Sequence, residues 1–411
     1  MAWRTRDPGA AVLSLDSDRL LTRPFLLVLC VQFCFGLSYS TFFLLPKFLA
    51  RQFQANPDAI GAVAASALLA GVLASPWTGA WLDRGARRPF ICYGALVNGV
   101  SGCAFALVHQ LSWPIFLLRV VNGLSYALVF NGVVTVATDL APPNKLGQAI
   151  GLCGAASIVA NAVAPAIAEP VADARGWGLV FLLAGGAALF AGLLALGIRE
   201  PPRAPLPVSP AELDAGNRPE IASLPSALAL LREPQRLGAF LCSAANGAAF
   251  GAMFTFTQPF ALSRGGSTVS SFFLGYTLVA LTVRLFLGQV ADAWGRRRVA
   301  VVGFVLYGFV ASLTSLLQPS LLFVIGGGLG LAHGLLYPSI NALAAQGVPR
   351  ARRGAVMSYF FGCFGAGSAI WVLGLGVIAR AYGYPVVFLA TGVLAWCAIA
   401  FLRKKTLGVT A

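Results

Sequence analysis

Charge is what this 411-residue chain has least of. Only 10% of its residues are Asp, Glu, Lys or Arg, against roughly a quarter in an ordinary water-soluble domain. Acids are scarcest: there are 14, and none falls in the middle of an apolar run, Glu169 coming nearest. A chain so poor in charge does not make a soluble surface. Metal-binding and hydrolytic chemistry lack material as well. Histidine occurs twice, and the eight cysteines (Cys30, Cys34, Cys92, Cys103, Cys153, Cys242, Cys363, Cys397) lie in apolar runs without ligand spacing. They read as small apolar filler. No phosphate-cradling loop is present, nor a Ser/His/Asp set or His/Asp cluster within the apolar runs. An enzyme is not expected, no cofactor or metal is implied, and any energy input would come from an ion gradient rather than from ATP.

What the chain has in abundance is apolar sequence: 58% hydrophobic residues and a mean hydropathy of +0.80. Apolar runs recur along its whole length, each able to cross about 30 Å of hydrocarbon as a helix. They lack the period-two alternation of barrel strands. The expected spans are 24–50, 59–82, 88–109, 113–138, 148–169 and 176–198, then 236–263, 268–291, 297–318, 320–346, 352–380 and 384–402. This predicts an all-α integral membrane protein with 12 transmembrane helices. Residues 199–235 break the pattern with eight prolines and several acids, so they read as a linker, with a short surface helix near 226–231. The expected organisation is a cytoplasmic segment 1–23, a six-helix bundle 24–198, the cytoplasmic linker 199–235, a second bundle 236–403 and a tail 404–411. The apolar run from Pro24 is too long for a cleavable signal and should remain as the first span.

The net charge of +15 raises nucleic acid as a partner, and the placement of the charges excludes it. With the Arg-rich turns taken as cytoplasmic, 22 of the 29 Lys and Arg fall inside. Five fall outside, Lys47, Arg51, Arg175, Arg264 and Arg380, and two, Arg119 and Arg284, lie within apolar runs. That is the positive-inside bias of a multi-pass protein with both termini in the cytoplasm. The partner is a lipid bilayer.

A repeat divides the chain in two. Gly79, Asp83, Arg87 and Arg88 recur as Gly288, Asp292, Arg296 and Arg297, each pair 209 residues apart (288 − 79). Pro142 and Gly147 recur as Pro349 and Gly354 at an offset of 207 (349 − 142). Two independent echoes at nearly one offset predict two pseudo-symmetric six-helix bundles. In both copies of the first repeat an apolar run ends in Gly-x-x-x-Asp and enters a short basic turn.

This pair of turns resembles the G-x-x-x-D-R-x-G-R-R loop of major facilitator superfamily (MFS) transporters, between their second and third and eighth and ninth helices. The likeness covers nearly the whole chain. Gly85-Ala86 and Ala293 depart from the usual pattern without touching the Gly, the Asp or the Arg pair. The resemblance implies a gate, in which Asp83 and Asp292 face helix N-termini of the opposite half in spans eleven and five. A solvated cap is the bland alternative. It also implies a monomer that exports a small solute by alternating access, in the manner of bacterial drug and solute:proton antiporters. Facilitated diffusion or uptake by the same fold is a second reading. A non-transporting sensor or scaffold is a third, and it predicts a core without buried charge. The lack of any Asn-x-Ser/Thr site, with abundant Ala, Gly and Arg, fits a bacterial inner membrane.

Candidate site residues follow from polar groups inside the spans. Arg119 resembles the arginine of the family's R-x-x-x-G motif and, being costly in hydrocarbon, should face an interior cavity, with Asn122 and Tyr126 on the same helix face. Residues 160–169 resemble the antiporter helix G-x-x-x-G-P-x-x-G-G with Ala for Gly, keeping Ala164 and Pro165 and placing Glu169 where a Gly belongs. Arg284 has Ser75 as its counterpart in the first half, so it is not a product of the duplication. His333, Tyr337 and Asn341 form a stripe in span ten, and histidine is the side chain whose charge changes near neutral pH. Gln32, Tyr39 and Phe43 in span one, with Asn246, Phe254 and Gln258 in span seven, complete an amphipathic cavity. Two buried arginines point to an anionic solute. Coupling to protons would need Glu169, His333 or a carboxylate on the solute.

Overall fold

The computed structural model describes residues 20–84, 86–142, 145–200, 234–286, 293–348 and 350–402. Everything described is helix, turn or short connection. The first crossing is made of α1 (Arg23–Thr41) and α2 (Leu45–Phe53), joined by a single 3-10 turn at Phe42–Leu44. Then come α3 (Pro57–Arg84), α4 (Arg87–Ala104), α5 (Trp113–Leu140), α6 (Leu146–Arg175) and α7 (Trp177–Ala195). The second half has α8 (Pro234–Ser263), α9 (Ser270–Phe286), α10 (Arg296–Thr314), α11 (Leu322–Ala345), α12 (Arg350–Tyr382) and α13 (Tyr384–Ala398). Among the described residues, 11 helical stretches are long and apolar enough to cross a bilayer, and α9 supplies a shorter twelfth. The rest of the expected eighth span, 287–291, lies outside the described residues, as do most of the linker and its expected surface helix.

Both halves use one packing plan. In the first, α3 lies on α5, α4 on α5 and α7, and α1 on α6 and α7. In the second, α9 lies on α11, α10 on α11 and α13, and α8 on α12 and α13, so each pair recurs six crossings later. The duplication reaches single backbone atoms. Gly176 ends α6 and opens α7 at φ 85°, donating its N–H to Ala172 O at 3.0 Å. Gly383 does the same between α12 and α13 at φ 83°, donating to Ala379 O at 2.9 Å. Glycine at these positions meets a left-handed backbone that side chains resist. The separation, 383 − 176 = 207, equals that of the Pro/Gly echo.

Side chains sort as a bilayer demands. Large apolar groups such as Leu107 (76% exposed), Phe286 (74%) and Leu316 (71%) face outward, where a soluble protein would suffer a broad sticky surface. Glycine and alanine line the helix contacts, where dispersion between close backbones replaces the hydrophobic effect. A Cβ on Gly123 of α5 would collide with the carbonyl of Ala67 on α3, and one on Gly326 of α11 with that of Phe272 on α9. The halves meet along two seams, α3 against α12 and α6 against α9. These are the span pairs two–eleven and five–eight that the loop motif implies. The second half's core takes in Leu44, Ala168 and Ala172 from the first.

Candidate functional site

With twelve crossings among the described residues, the first and last of those residues, near 20 and 402, come to one end of the bundle, and the opposite, far end is where the halves lock together. Lys47 of α2 and Glu169 of α6 form an ion pair there, with the two side chains 0% and 1% exposed. Both also reach across the seam. Lys47 Nζ donates to Ser267 O at 2.8 Å. Glu169 accepts from the backbone N–H of Val269 and of Ser270, each at 2.8 Å. Those are the unsatisfied donors at the start of α9, where a carboxylate is favoured by both hydrogen bonding and the helix dipole. Arg51 adds a bond to Ser267 O at 3.0 Å and a 3.4 Å contact with Asp173. Gln258 of α8 donates to Phe43 O at 2.6 Å, and Arg380 of α12 pairs with Asp58 of α3 at 2.7 Å.

Beneath this lock lies a cavity of about 100 Å³ between the halves. Its first-half wall is Tyr39, Phe42, Phe43, Leu45, Pro46 and Leu49 with Ile60, Ala64, Leu68 and Arg119. Its second-half wall is Phe250, Gly251, Phe254 and Thr255 of α8 with Phe364 and Ser368 of α12. Consecutive rings at the 3-10 turn in the first crossing are put to different uses. Phe42 turns into the first half against Phe105 and Phe181, while Phe43 meets Phe254 and Phe273 across the seam.

Arg119 is the one charged group on that wall and is only 7% exposed. Its Nη1 has a long 3.5 Å bond to Asn122 Oδ1, its guanidinium lies 5.6 Å from the Phe42 ring centre, and its Nε is buried without a partner. A polar chain behind it fixes the helix face. Asn122 Nδ2 donates to Ser101 Oγ at 2.8 Å and Asn98 Oδ1 at 3.1 Å, and Asn98 Nδ2 donates to Ser38 Oγ at 3.0 Å. Arg284 of α9 points towards α6, where a Cβ on Gly154 would sit 3.4 Å from its Nη1, and its Nε too is buried and unpartnered. Neither arginine enters an ion pair among the described residues.

Of the other expected cavity residues, Tyr39 and Tyr126 stack with ring centres 4.2 Å apart, and Tyr39 lines the cavity with Phe43 and Phe254. Gln32 donates to Ser157 Oγ at 2.6 Å instead, tying α1 to α6. Gln258 is spent on the seam. His333 sits behind the second wall among rings, Phe250 at 4.9 Å and Tyr337 at 5.3 Å, with Tyr276, Tyr307 and Phe364 further out. Its Nδ1 is buried without a partner, as are both amide atoms of Asn246. Asn341 is partly exposed on the same helix as His333. Ala164 and Pro165 are buried in α6, which runs through Pro165 without interruption.

Of the gating motif, Arg87 pairs with Asp139, the backbone N–H of Arg88 donates to Glu200 at 2.6 Å, Arg296 opens α10, and Arg297 Nε donates to Leu402 O at 2.5 Å. Gly288 and Asp292 lie outside the described residues, and so do the side-chain surroundings of Gly79 and Asp83.

Lys47, counted with the charges of the outer side, is completely buried at the far end rather than exposed in a loop. Its position inside the run Leu44-Leu45-Pro46-Lys47-Phe48-Leu49 was the available signal, since a lysine flanked by apolar residues needs a counter-charge. Phe42, Phe250 and Phe364 were also missed, because rings in an apolar chain carry no distinguishing mark.

The sequence profile described as Major Facilitator Superfamily matches residues 28–282 and 265–408. The multi-drug resistance efflux pump PmrA of Streptococcus pneumoniae is 24% identical over 359 residues, covering 84% of this chain and 86% of that one. The multidrug resistance protein MdtG of Escherichia coli is 24% identical over 340 residues, 80% of each. Among solved structures, the nucleoside transporter NupG superimposes with a TM-score of 0.75 at 15% identity, covering 93% of this chain and 100% of that one. A bacterial homologue of the human lysosomal transporter Spinster, described as inward-facing and unoccupied, gives 0.73 at 18% identity, covering 93% and 96%.

Proposed function

Because this chain belongs to the major facilitator superfamily, and is therefore a multi-pass cell-membrane protein that carries small molecules by secondary transport, we propose that it exports an organic anion in exchange for protons. The observation carrying the choice of anion is Arg119, desolvated on the wall of a cavity between the halves and without an ion pair among the described residues. A guanidinium at membrane depth is held there at considerable cost, and such groups serve solute or ion pathways. Arg284, equally without an ion pair among the described residues, adds a second cation at the seam between α6 and α9. A bound anion would relieve both.

Export is supported by the efflux pumps among the relatives and by the antiporter-like helix 160–169. With the termini in the cytoplasm, as the basic turns imply, the locked far end is the outer gate and the conformation is inward-facing. The likeness to a neighbour described as inward-facing supports this. The protein works as a monomer in this reading, and the motif turns after α3 and α9 form the opposite, inner gate. The bilayer is a bacterial inner membrane.

The test is uptake of labelled organic acids into everted membrane vesicles with an acidic lumen. Accumulation should follow the imposed pH gradient, vanish with a protonophore and fall at least tenfold in Arg119→Ala. If Arg119→Ala and Arg284→Ala both move every anion as the parent does, the anion reading is wrong. Movement indifferent to the pH gradient would replace antiport by facilitated diffusion.

A further inference from the structure

The cavity that holds Arg119 has a second chemical character. Six of its sixteen lining residues are aromatic, and they come from both halves. Tyr39, Phe42 and Phe43 stand on the first crossing, and Phe250, Phe254 and Phe364 on α8 and α12. The rings do not stack into one plug. Phe43 meets Phe254 edge to face at 5.2 Å and 80°, Phe250 lies against Phe254 at 4.1 Å and 25°, and Phe364 tilts against Phe250 at 5.8 Å and 48°. The rings on the two walls therefore stand at several inclinations to one another. Aromatic faces attract the positive edges of another ring, and edges attract its face, beyond what burial alone supplies.

On this same cavity, and resting on the anion reading above, we infer that the solute is an aromatic monocarboxylate, with one ring between the two walls and its carboxylate on Arg119. Three features converge on that class. The first is charge: Arg119 is the sole ionised side chain on the lining, so one negative group is matched and two are not. The second is geometry. The buried Nε has no partner, and Nη1 has only the long bond to Asn122. A guanidinium with hydrogen-bond donors to spare is suited to a carboxylate's oxygens. The third is size. At about 100 Å³ the cavity approaches the ~150 Å³ at which an apolar protein cavity takes up one benzene molecule. A single ring fits with modest parting of the walls, and fused rings do not fit while the far end stays locked.

The experiment uses the full chain in lipid nanodiscs and three probes: benzoate, cyclohexanecarboxylate and benzyl alcohol. Benzoate should bind about tenfold more tightly than cyclohexanecarboxylate, which has the same charge and similar size but no π system. Benzyl alcohol, with the ring and no charge, should bind more weakly than either. In Phe254→Leu the preference for benzoate should shrink towards unity, and Phe364→Leu serves if the first variant fails to fold. Equal affinity for the two carboxylates overturns the aromatic inference and leaves the anion reading standing. Benzyl alcohol binding as tightly as benzoate overturns the anion reading. Absence of benzoate binding to protein that still unfolds cooperatively overturns the inference outright.

Discussion

Replacing Lys47 by Met should open the far end of this transporter. In the locked state Lys47 and Glu169 have no access to water, and together they hold three backbone groups of the 267–270 segment. Removing one member of a fully buried pair strands the other charge, which costs about 3–5 kcal/mol. Opening the far end would let Glu169 regain water, so nearly all of that cost falls on the locked state. At about 1.4 kcal/mol per tenfold, the equilibrium between locked and open moves by roughly one hundredfold to a few thousandfold towards open. A double variant, Lys47→Met with Glu169→Gln, should behave differently. It removes both charges, and the Gln carbonyl can still accept one N–H from the start of α9, so the lock should be largely restored. Exchanging the two charges should fail, because a lysine at 169 would face two N–H donors. The assay is the distance between spin labels on the exposed positions Gln52 and Arg264, in protein cleared of its own cysteines and held in nanodiscs. If Lys47→Met gives the parent's distance distribution, or the double variant opens as far as the single one, the reasoning is refuted.

The same labels separate this lock from its neighbour. Arg380 is 61% exposed and Asp58 30%, so Arg380→Gln loses a solvent-screened pair of about 0–1 kcal/mol and should shift the open fraction less than fivefold. A shift as large as that of Lys47→Met would mean the seam is held by surface charge instead. Close helix crossing is testable by bulk: Gly123→Val drives a side chain into the Ala67 carbonyl of α3. Overpacking of this kind costs about 1–3 kcal/mol or more. The thermal midpoint should fall by several degrees, while Gly178→Ala, with nothing within 4 Å, should leave it unchanged. Equal midpoints for the two would show that α3 and α5 are free to move apart.

Much of the architecture was legible because a membrane simplifies folding. Backbone polar groups cannot be left open in hydrocarbon, so apolar length alone announces helices. Duplication then appears as an offset between residues that have few substitutes, such as the Gly and Asp of the turns and the Pro and Gly of the second echo. Arg119 was legible for the same reason: a charge among apolar residues stands out, and hydrocarbon forces it inward. Lys47 met the same criterion but lay near a span end, where lysines commonly snorkel to water. Its burial depends on Glu169, 122 residues away, being brought opposite it.

Sequence by itself therefore determined the class of molecule: a twice-repeated set of apolar helices with a cation left inside each half. Tertiary structure alone decided which end is locked, that Glu169 caps α9 rather than serving the cavity, and that Phe42 and Phe43 face different ways. The physical reason is range. Hydropathy and turn chemistry act over one span and survive as pattern, whereas a buried ion pair or a ring-lined cavity exists only once packing has placed groups from both halves within a few ångströms.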